Sequence, residues 1–370
     1  MTTFTRGMKT SLALAGLGFS AAGLGLCWIQ TRQARQKAEE ELSAVVHLRS
    51  GQVAEWRAGR LADAAFIAES PIFREIAGRW LTSRNAAGAR ELLAQFKSFA
   101  DHHRYRDVLL VDARGAVALA LSGATGRIHN EAEAGFAAAL RGREPVLTDL
   151  HDGPGGLPPH LDVISPIVGP PGSEPVGAVV LQSDARDFLY PLLHDWPAAS
   201  HSAETLLVRR DGADALFLSE LRYRKGSALT VRFPLSRTDS PAVMAASGVG
   251  GVVEGRDYRG VDVLAALQRV PDSPWFIVQK VDADEIFAES RRESALLLGL
   301  MSVIFVGGVG AILFLRQHNE MAEEEKEMGN LEAEWKRGDG SKRRVTPPAK
   351  SASKGGRAGE SPFSGPGPAK

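Results

Sequence analysis

Apolar residues follow three different periods along this chain. Residues 11–29 form a nearly unbroken uncharged run, just long enough to cross about 30 Å of hydrocarbon as a helix. A second run, residues 295–315, is longer and richer in Leu, Ile, Val and Phe, and is the stronger candidate span. Between them, apolar positions first recur at helical spacing (Leu42, Val45, Val46, Leu48, Val53, Trp56, Leu61, Ala64, Phe66, Ile67) with few Gly or Pro, which predicts one or two long helices over residues 30–84. Ser70 with Pro71 marks a helix start, residues 72–81 read as helical, residues 83–88 break the pattern, and 89–102 resume it.

Beyond residue 102 the period changes to that of strands. Residues 105–111 and 116–121 flank the turn signal Asp112-Ala-Arg-Gly115, 131–141 is an alanine-rich helix, and 145–150, 160–168 and 176–183 read as strands joined by Gly and Pro loops. The pattern then recurs: strands over 205–209, 215–218, 229–235, 251–254, 261–268 and 275–281, with a helix at 241–247. Short turns between consecutive strands predict mainly antiparallel sheets.

Charge refines the topology. Arg6 and Lys9 precede the first run, and Trp28 followed by Arg32 suits an interfacial anchor rather than a cleaved signal peptide. The tail after Leu315 is basic, so both termini are expected in the cytoplasm, with the central domain outside. Lys plus Arg and Asp plus Glu are both 44, so no global basic field argues for nucleic acid. The single cysteine, Cys27, excludes an internal disulfide and a cysteine metal cage.

Three segments carry a resemblance to a known family: Gly251-Val-Val-Glu-Gly-Arg-Asp-Tyr-Arg-Gly260 with the Val-Asp-Val-Leu-Ala-Ala that follows, Pro274-Trp-Phe-Ile-Val-Gln-Lys-Val-Asp282, and Phe217-Leu-Ser-Glu-Leu-Arg-Tyr-Arg-Lys225. They are similar to the double-Cache periplasmic region of bacterial transmembrane sensor histidine kinases. The resemblance covers about residues 35 to 315 and is most specific in the second unit. It implies an α+β fold in which two transmembrane helices flank a long helix and two tandem PAS-like antiparallel-sheet units. The expected divisions are a cytoplasmic start (1–10), a first span (11–30), a helical stalk (31–102), a membrane-distal unit (103–198), a membrane-proximal unit (199–290) and a second span (295–315). A charged helical stub (316–337) and a disordered Gly, Ser, Lys and Pro-rich tail (338–370) follow.

The function so implied is an extracytoplasmic ligand sensor of a two-component type system, dimeric through its long helices, whose apolar stripe supports that pairing. Its partners would be a small-molecule ligand and a separate cytoplasmic kinase or regulator. After residue 315 no phosphoacceptor helix, glycine-rich nucleotide lid, Gly-Gly-Asp/Glu-Glu-Phe motif or methylation helix is found, so enzyme activity is not expected here; a partner supplies the output, or it was lost by truncation. The alternative is a membrane-anchored binding or scaffold protein without its own signalling output.

Ligands of PAS-like sheets sit between the curved face and the loops covering it, which makes Tyr105, Arg106, Asp149, His151 and Asp162 the candidates. Arg106 suits a ligand carboxylate and Asp149 a ligand amine, while Arg106 paired with Asp107 at a strand end is the structural alternative. The Arg-x-Trp-Tyr motif of the family's amino-acid-binding branch is absent, so an amino-acid ligand is not expected. Asp149, His151, Asp152, His160 and Asp162 gather around the loop at 153–159, and mixed imidazole and carboxylate ligands suit zinc. Their spacing matches no metal motif, so a solvated loop is expected, with no metal or cofactor. Arg256 and Asp257 are read as a hairpin salt bridge. No Gly-x-Ser-x-Gly elbow supports hydrolysis.

Overall fold

A computed structural model of the chain describes residues 2–153, 157–169, 173–194 and 200–338. The helical pattern at the start resolves as one continuous helix, α1 (Thr2–Glu69), which takes in the first apolar run. Leu42, Val46, Val53 and Ala64 lie on its inner face and are fully buried in the main core. Those positions of the stripe are therefore packed within the molecule, while Phe66 of the same pattern stays exposed. Ser70 then caps α2 (Pro71–Ser83): its hydroxyl accepts from the Phe73 N–H, and Pro71 costs nothing in a first turn whose N–H groups have no helical partner. Arg84 ends α2 in the left-handed region, and Asn85 accepts the Gly88 N–H at 2.7 Å to open α3 (Ala86–His103).

The first sheet holds β1 (Asp107–Asp112), β2 (Val117–Ala120), β3 (Val146–Leu147), β4 (His151–Gly153), β5 (Leu157–Val168) and β6 (Pro175–Asp184), with α4 (Asn130–Gly142) packed on it. Its order is β2-β1-β6-β5-β3, with β4 also on β5, and all pairs are antiparallel. The strand expected over 145–150 is broken because the Asp162 N–H donates to the Thr148 hydroxyl rather than to a backbone carbonyl. A short helix, α5 (Leu189–His194), leads to the second sheet and had no sequence expectation.

That sheet holds β7 (Glu204–Asp211), β8 (Asp214–Phe217), β9 (Arg232–Pro234), β10 (Gly251–Arg256), β11 (Asp262–Arg269) and β12 (Trp275–Asp282), with α6 (Pro241–Ala246) against it. The order is β10-β11-β12-β7-β8-β9, again wholly antiparallel. The strand expected over 229–235 shrinks to β9 because Leu229 turns at φ +59° and the Thr230 and Val231 N–H groups fold back onto the Ser227 carbonyl. α1 crosses both sheets; the Ser50 hydroxyl donates to the Arg269 carbonyl at 2.9 Å.

β12 runs without a break into α7 (Ala283–Gly338), whose first turn carries Glu285. That carboxylate accepts from the backbone N–H of His201 and Ser202 and from the Ser200 and Ser202 hydroxyls, pinning the start of α7 to the second sheet's entrance. Residues up to Leu300 form one compact unit, and those from Met301 a second, in which α7 continues as a helix to Gly338. Stretches of α1 and α7 are each long and apolar enough to cross a membrane, by length and composition. The tail expected over 338–370 lies outside the described residues from 339 on.

Candidate functional site

Antiparallel pairing of β4 with β5 sets His151 directly opposite His160. Asp162 stands two residues further along β5 and so on the same face as His160. His129, at the N-cap of α4, closes the group from the side. The His129 Nε2 lies 3.4 Å from the Nε2 of His151 and 3.4 Å from that of His160. The Asp162 carboxylate is 3.0 Å from His129, 3.6 Å from His151 and 3.9 Å from His160. His160 and Asp162 have no exposed surface, and His151 is buried. The solvated loop expected for these residues is thus corrected: the strand pairing carries their side chains inward, and of the group only Asp152 is exposed.

Two of the imidazoles are oriented by backbone. His151 Nδ1 lies 2.8 Å from the Asp149 carbonyl and His160 Nδ1 lies 3.2 Å from that of Pro158; in the neutral ring each Nδ1–H donates there and leaves an Nε2 lone pair facing the cluster. Burial opposes charge on Asp162, yet the three imidazoles outweigh it and hold the carboxyl well below the usual range. Burial lowers His160. It also acts to lower His151, where the Asp162 carboxylate and the Asp149 carbonyl prevail and raise it.

The cluster borders a cavity of about 210 Å³ between the first sheet and α4, lined among others by Arg106, Asp107, Ser122, His129, His160 and Asp162. Arg106, one of the lining residues, has a buried guanidinium nitrogen, Nη1, without a hydrogen-bond partner among the described residues. It does not pair with Asp107, which instead accepts from the N–H groups of Val108 and Ser122 and from the Ser122 hydroxyl.

Of the residues singled out from sequence, Arg106 and Asp162 line the cavity and His151 joins Asp162 in the cluster. Tyr105 and Asp149 face elsewhere. The Tyr105 hydroxyl donates to Asp63 of α1 at 2.8 Å beneath the Arg60 guanidinium, and burial pushes its phenol pKa up. Asp149 reaches the second sheet: it accepts from the Trp275 indole N–H at 2.6 Å and pairs with Arg209 at 2.9 Å. Trp275 in turn carries the Arg57 guanidinium over its ring at 4.4 Å. Sequence reasoning missed His129 altogether, since no local spacing ties it to residues more than twenty positions away. The strands around 145–150 and 160–168 carried a usable signal for the other three, because a hairpin with even register places His151 beside His160.

Beneath α6 in the second sheet the corresponding space is about 10 Å³. Lys280, fully buried on β12, pairs with Asp257 at 2.7 Å and Glu204 at 2.9 Å, and the Tyr258 hydroxyl donates to Glu204. Arg259 also pairs with Asp257, at 2.7 Å, and Arg256 with Asp262, at 3.0 Å, so the bridge expected between Arg256 and Asp257 is replaced by two others. The alternation along β10 points Arg256 away from Asp257, which lies past the strand's end.

The architecture, a long helix crossing two antiparallel sheets, is the fold of solved chemoreceptor sensory domains. No family model matches the chain, and no curated protein matches it. The likeness lies with solved structures. The sensory domain of the Campylobacter jejuni chemoreceptor Tlp3 superposes with a TM-score of 0.50 at 11% identity, over 70% of this chain and 98% of that one. The same domain with isoleucine bound gives 0.50 at 12% identity over the same shares. The ligand-binding domain of the Pseudomonas aeruginosa PAO1 amino acid chemoreceptor PctB, in complex with L-Arg, gives 0.47 at 18% identity, over 68% of this chain and 98% of that one.

Proposed function

We propose that this chain is an extracytoplasmic ligand sensor held by two membrane spans, with its two sheets in the periplasm and both termini in the cytoplasm. A small ligand enters the cavity of the first, membrane-distal unit, where Arg106 and Asp162 receive it, with His151 beside Asp162 in the adjoining cluster. Tyr105 and Asp149, turned away from the cavity, tie that unit to α1 and to the membrane-proximal sheet. Occupancy moves the segment around Asp149, and so Trp275 on β12 and the helix into which β12 leads. A displacement of about 1 Å at the second span is of the size that helix shifts use to signal. The ligand must bind one arrangement better than the other for any signal to pass. The recipient is a cytoplasmic kinase or regulator of the two-component type, and the receptor acts as a homodimer, for which Leu48 and Phe66 remain exposed on α1.

The observation that carries this reading is the 2.6 Å hydrogen bond from Trp275 to Asp149, which joins the unit holding the cavity to the strand that leads into α7. The test is thermal unfolding of the full chain in detergent against a panel of small acids, amines, purines and divalent metals. A ligand at 100 times its dissociation constant adds about 2.7 kcal/mol. A selective rise that disappears in Arg106→Ala or Asp162→Ala supports the reading. A flat response across the panel, or a rise that both variants retain, overturns it.

A further inference from the structure

Three imidazole nitrogens and a carboxylate that converge on one point, in a protein interior, need a reason to be there. A buried carboxylate is costly unless it is paired and hydrogen-bonded, yet neither oxygen of Asp162 accepts a well-directed hydrogen bond among the described residues. The histidines relieve one another little: Nε2 separations of 3.4 Å are at the long end for a hydrogen bond. They do match another geometry. Four ligands placed tetrahedrally at a zinc–nitrogen length of 2.0–2.1 Å are about 3.3 to 3.4 Å apart. Two of the Asp162 contacts, at 3.0 and 3.6 Å, bracket the same edge, the third is 3.9 Å, and the four ligand atoms lie within 4.8 Å of one another.

We propose that His129, His151, His160 and Asp162 form a four-coordinate site for a divalent transition metal of the zinc class, with all three histidines binding through Nε2. The outer contacts have the form such sites use. The carbonyls of Asp149 and Pro158 hold Nδ1 of His151 and His160 and so present Nε2 to the metal. Two features of the ligand set favour zinc over magnesium or calcium, namely the imidazole majority and the single carboxylate. His129, His160 and Asp162 border the 210 Å³ cavity, which supplies the route in. The site is also one hydrogen bond from the junction between the sheets, since the residue whose carbonyl orients His151 is Asp149, whose side chain holds Trp275. The proposal deepens the sensory reading and rests on it: the metal is the signal, or part of the signal, that the distal unit receives.

The experiment uses the full chain in detergent, stripped by a chelator and titrated with Zn²⁺ and with Co²⁺. One equivalent of zinc is expected, with the intense visible absorption of four-coordinate cobalt(II) and its loss on adding zinc. Removing a direct ligand should cost more than the 10- to 100-fold typical of outer-shell changes, so His129→Ala is expected to weaken zinc binding by at least about 100-fold. Asp162→Asn, which keeps the side chain's size, should do the same and guards against misfolding of either variant. Absence of saturable binding by the stripped wild type, or equal affinity in both variants, overturns the metal site. Hydrogen exchange along residues 275–282 separates the two levels of the argument. Metal that binds at these residues and leaves this exchange unchanged keeps the site and removes its sensory role. An organic ligand that acts through Arg106 while no metal binds keeps the sensor and removes the metal.

Discussion

Under α6 of the second sheet, Lys280, Asp257, Glu204 and Tyr258 fill the space between helix and strands and leave about 10 Å³, whereas under α4 of the first sheet about 210 Å³ stays open beside Asp162. Both sheets bury charge there, but the second satisfies it more fully. The Lys280 ammonium meets two carboxylates within 2.9 Å, while Asp162 and the Arg106 Nη1 have no well-directed partner among the described residues. Unsatisfied buried groups lower stability, so each calls for a reason, such as a water, an ion or a ligand that completes it. The same architecture is thus closely packed under α6 of the second sheet and open under α4 of the first.

The sharpest way to break this comparison is to remove one charge from each unit. Lys280→Met leaves Asp257 and Glu204 buried without their shared cation, and loss of one partner from such a network costs about 3–5 kcal/mol. The metal-free His129→Ala protein should lose less than about half as much, because His129 is partly exposed and its neighbours keep their backbone bonds. Denaturant unfolding of the two variants decides it. Equal losses would mean that the distal cluster is as structural as the proximal one.

A smaller effect is expected where the two units meet. Trp275→Phe removes the indole donor to Asp149 and weakens the surface on which Arg57 rests, at a cost of about 1–3 kcal/mol. Its larger consequence concerns coupling. In a double-mutant cycle with Asp149→Ala, residues that act through one another give an interaction energy of about 0.5–3 kcal/mol. Additive losses would show that the units are joined by packing alone, and the route from cavity to α7 would have to run through α1.

How far this division could be read in advance depended on the range of the interactions involved. Helices capped by Ser70 and Asn85, and strands with period-two apolar residues, were legible because cap and pleat act over a few positions. The breaks were not: Thr148 ends β3 through a hydroxyl bonded across the sheet, and Leu229 adopts a left-handed turn that leucine does not advertise. In the site, His151 and Asp162 were recognisable as chemistry-bearing residues beside a Gly and Pro loop. Their inward facing was not, because a one-residue change of register would have placed them in solvent. His129 reaches the cluster only because α4 folds back over β5, and Asp149 reaches Trp275 across 126 positions of sequence. Such pairings are set by the assembled sheets and leave no local pattern.

The gentlest probe of the comparison is pH. Burial works against charge on Asp257, but Lys280 and Arg259 outweigh it and lower its pKa below the ordinary value of about 4. A carboxyl depressed in the folded state contributes stability that is fully present above its unfolded pKa and is lost as pH falls through the folded one. The proximal unit should therefore hold its stability from neutral pH down to about pH 4 and weaken below it. In Asp257→Asn the acid-side decline should be shallower, at the expense of lower stability at neutral pH. Glu285, lowered because hydroxyl and backbone donors at Ser200, His201 and Ser202 outweigh its partial burial, should show the same sign on a smaller scale in Glu285→Gln. Unfolding midpoints from pH 7 to pH 3 measure both slopes. An acid-side slope unchanged in Asp257→Asn would mean that the Lys280 network does not carry the proximal unit's stability, and the contrast between a satisfied and an unsatisfied sheet would lose its proximal half.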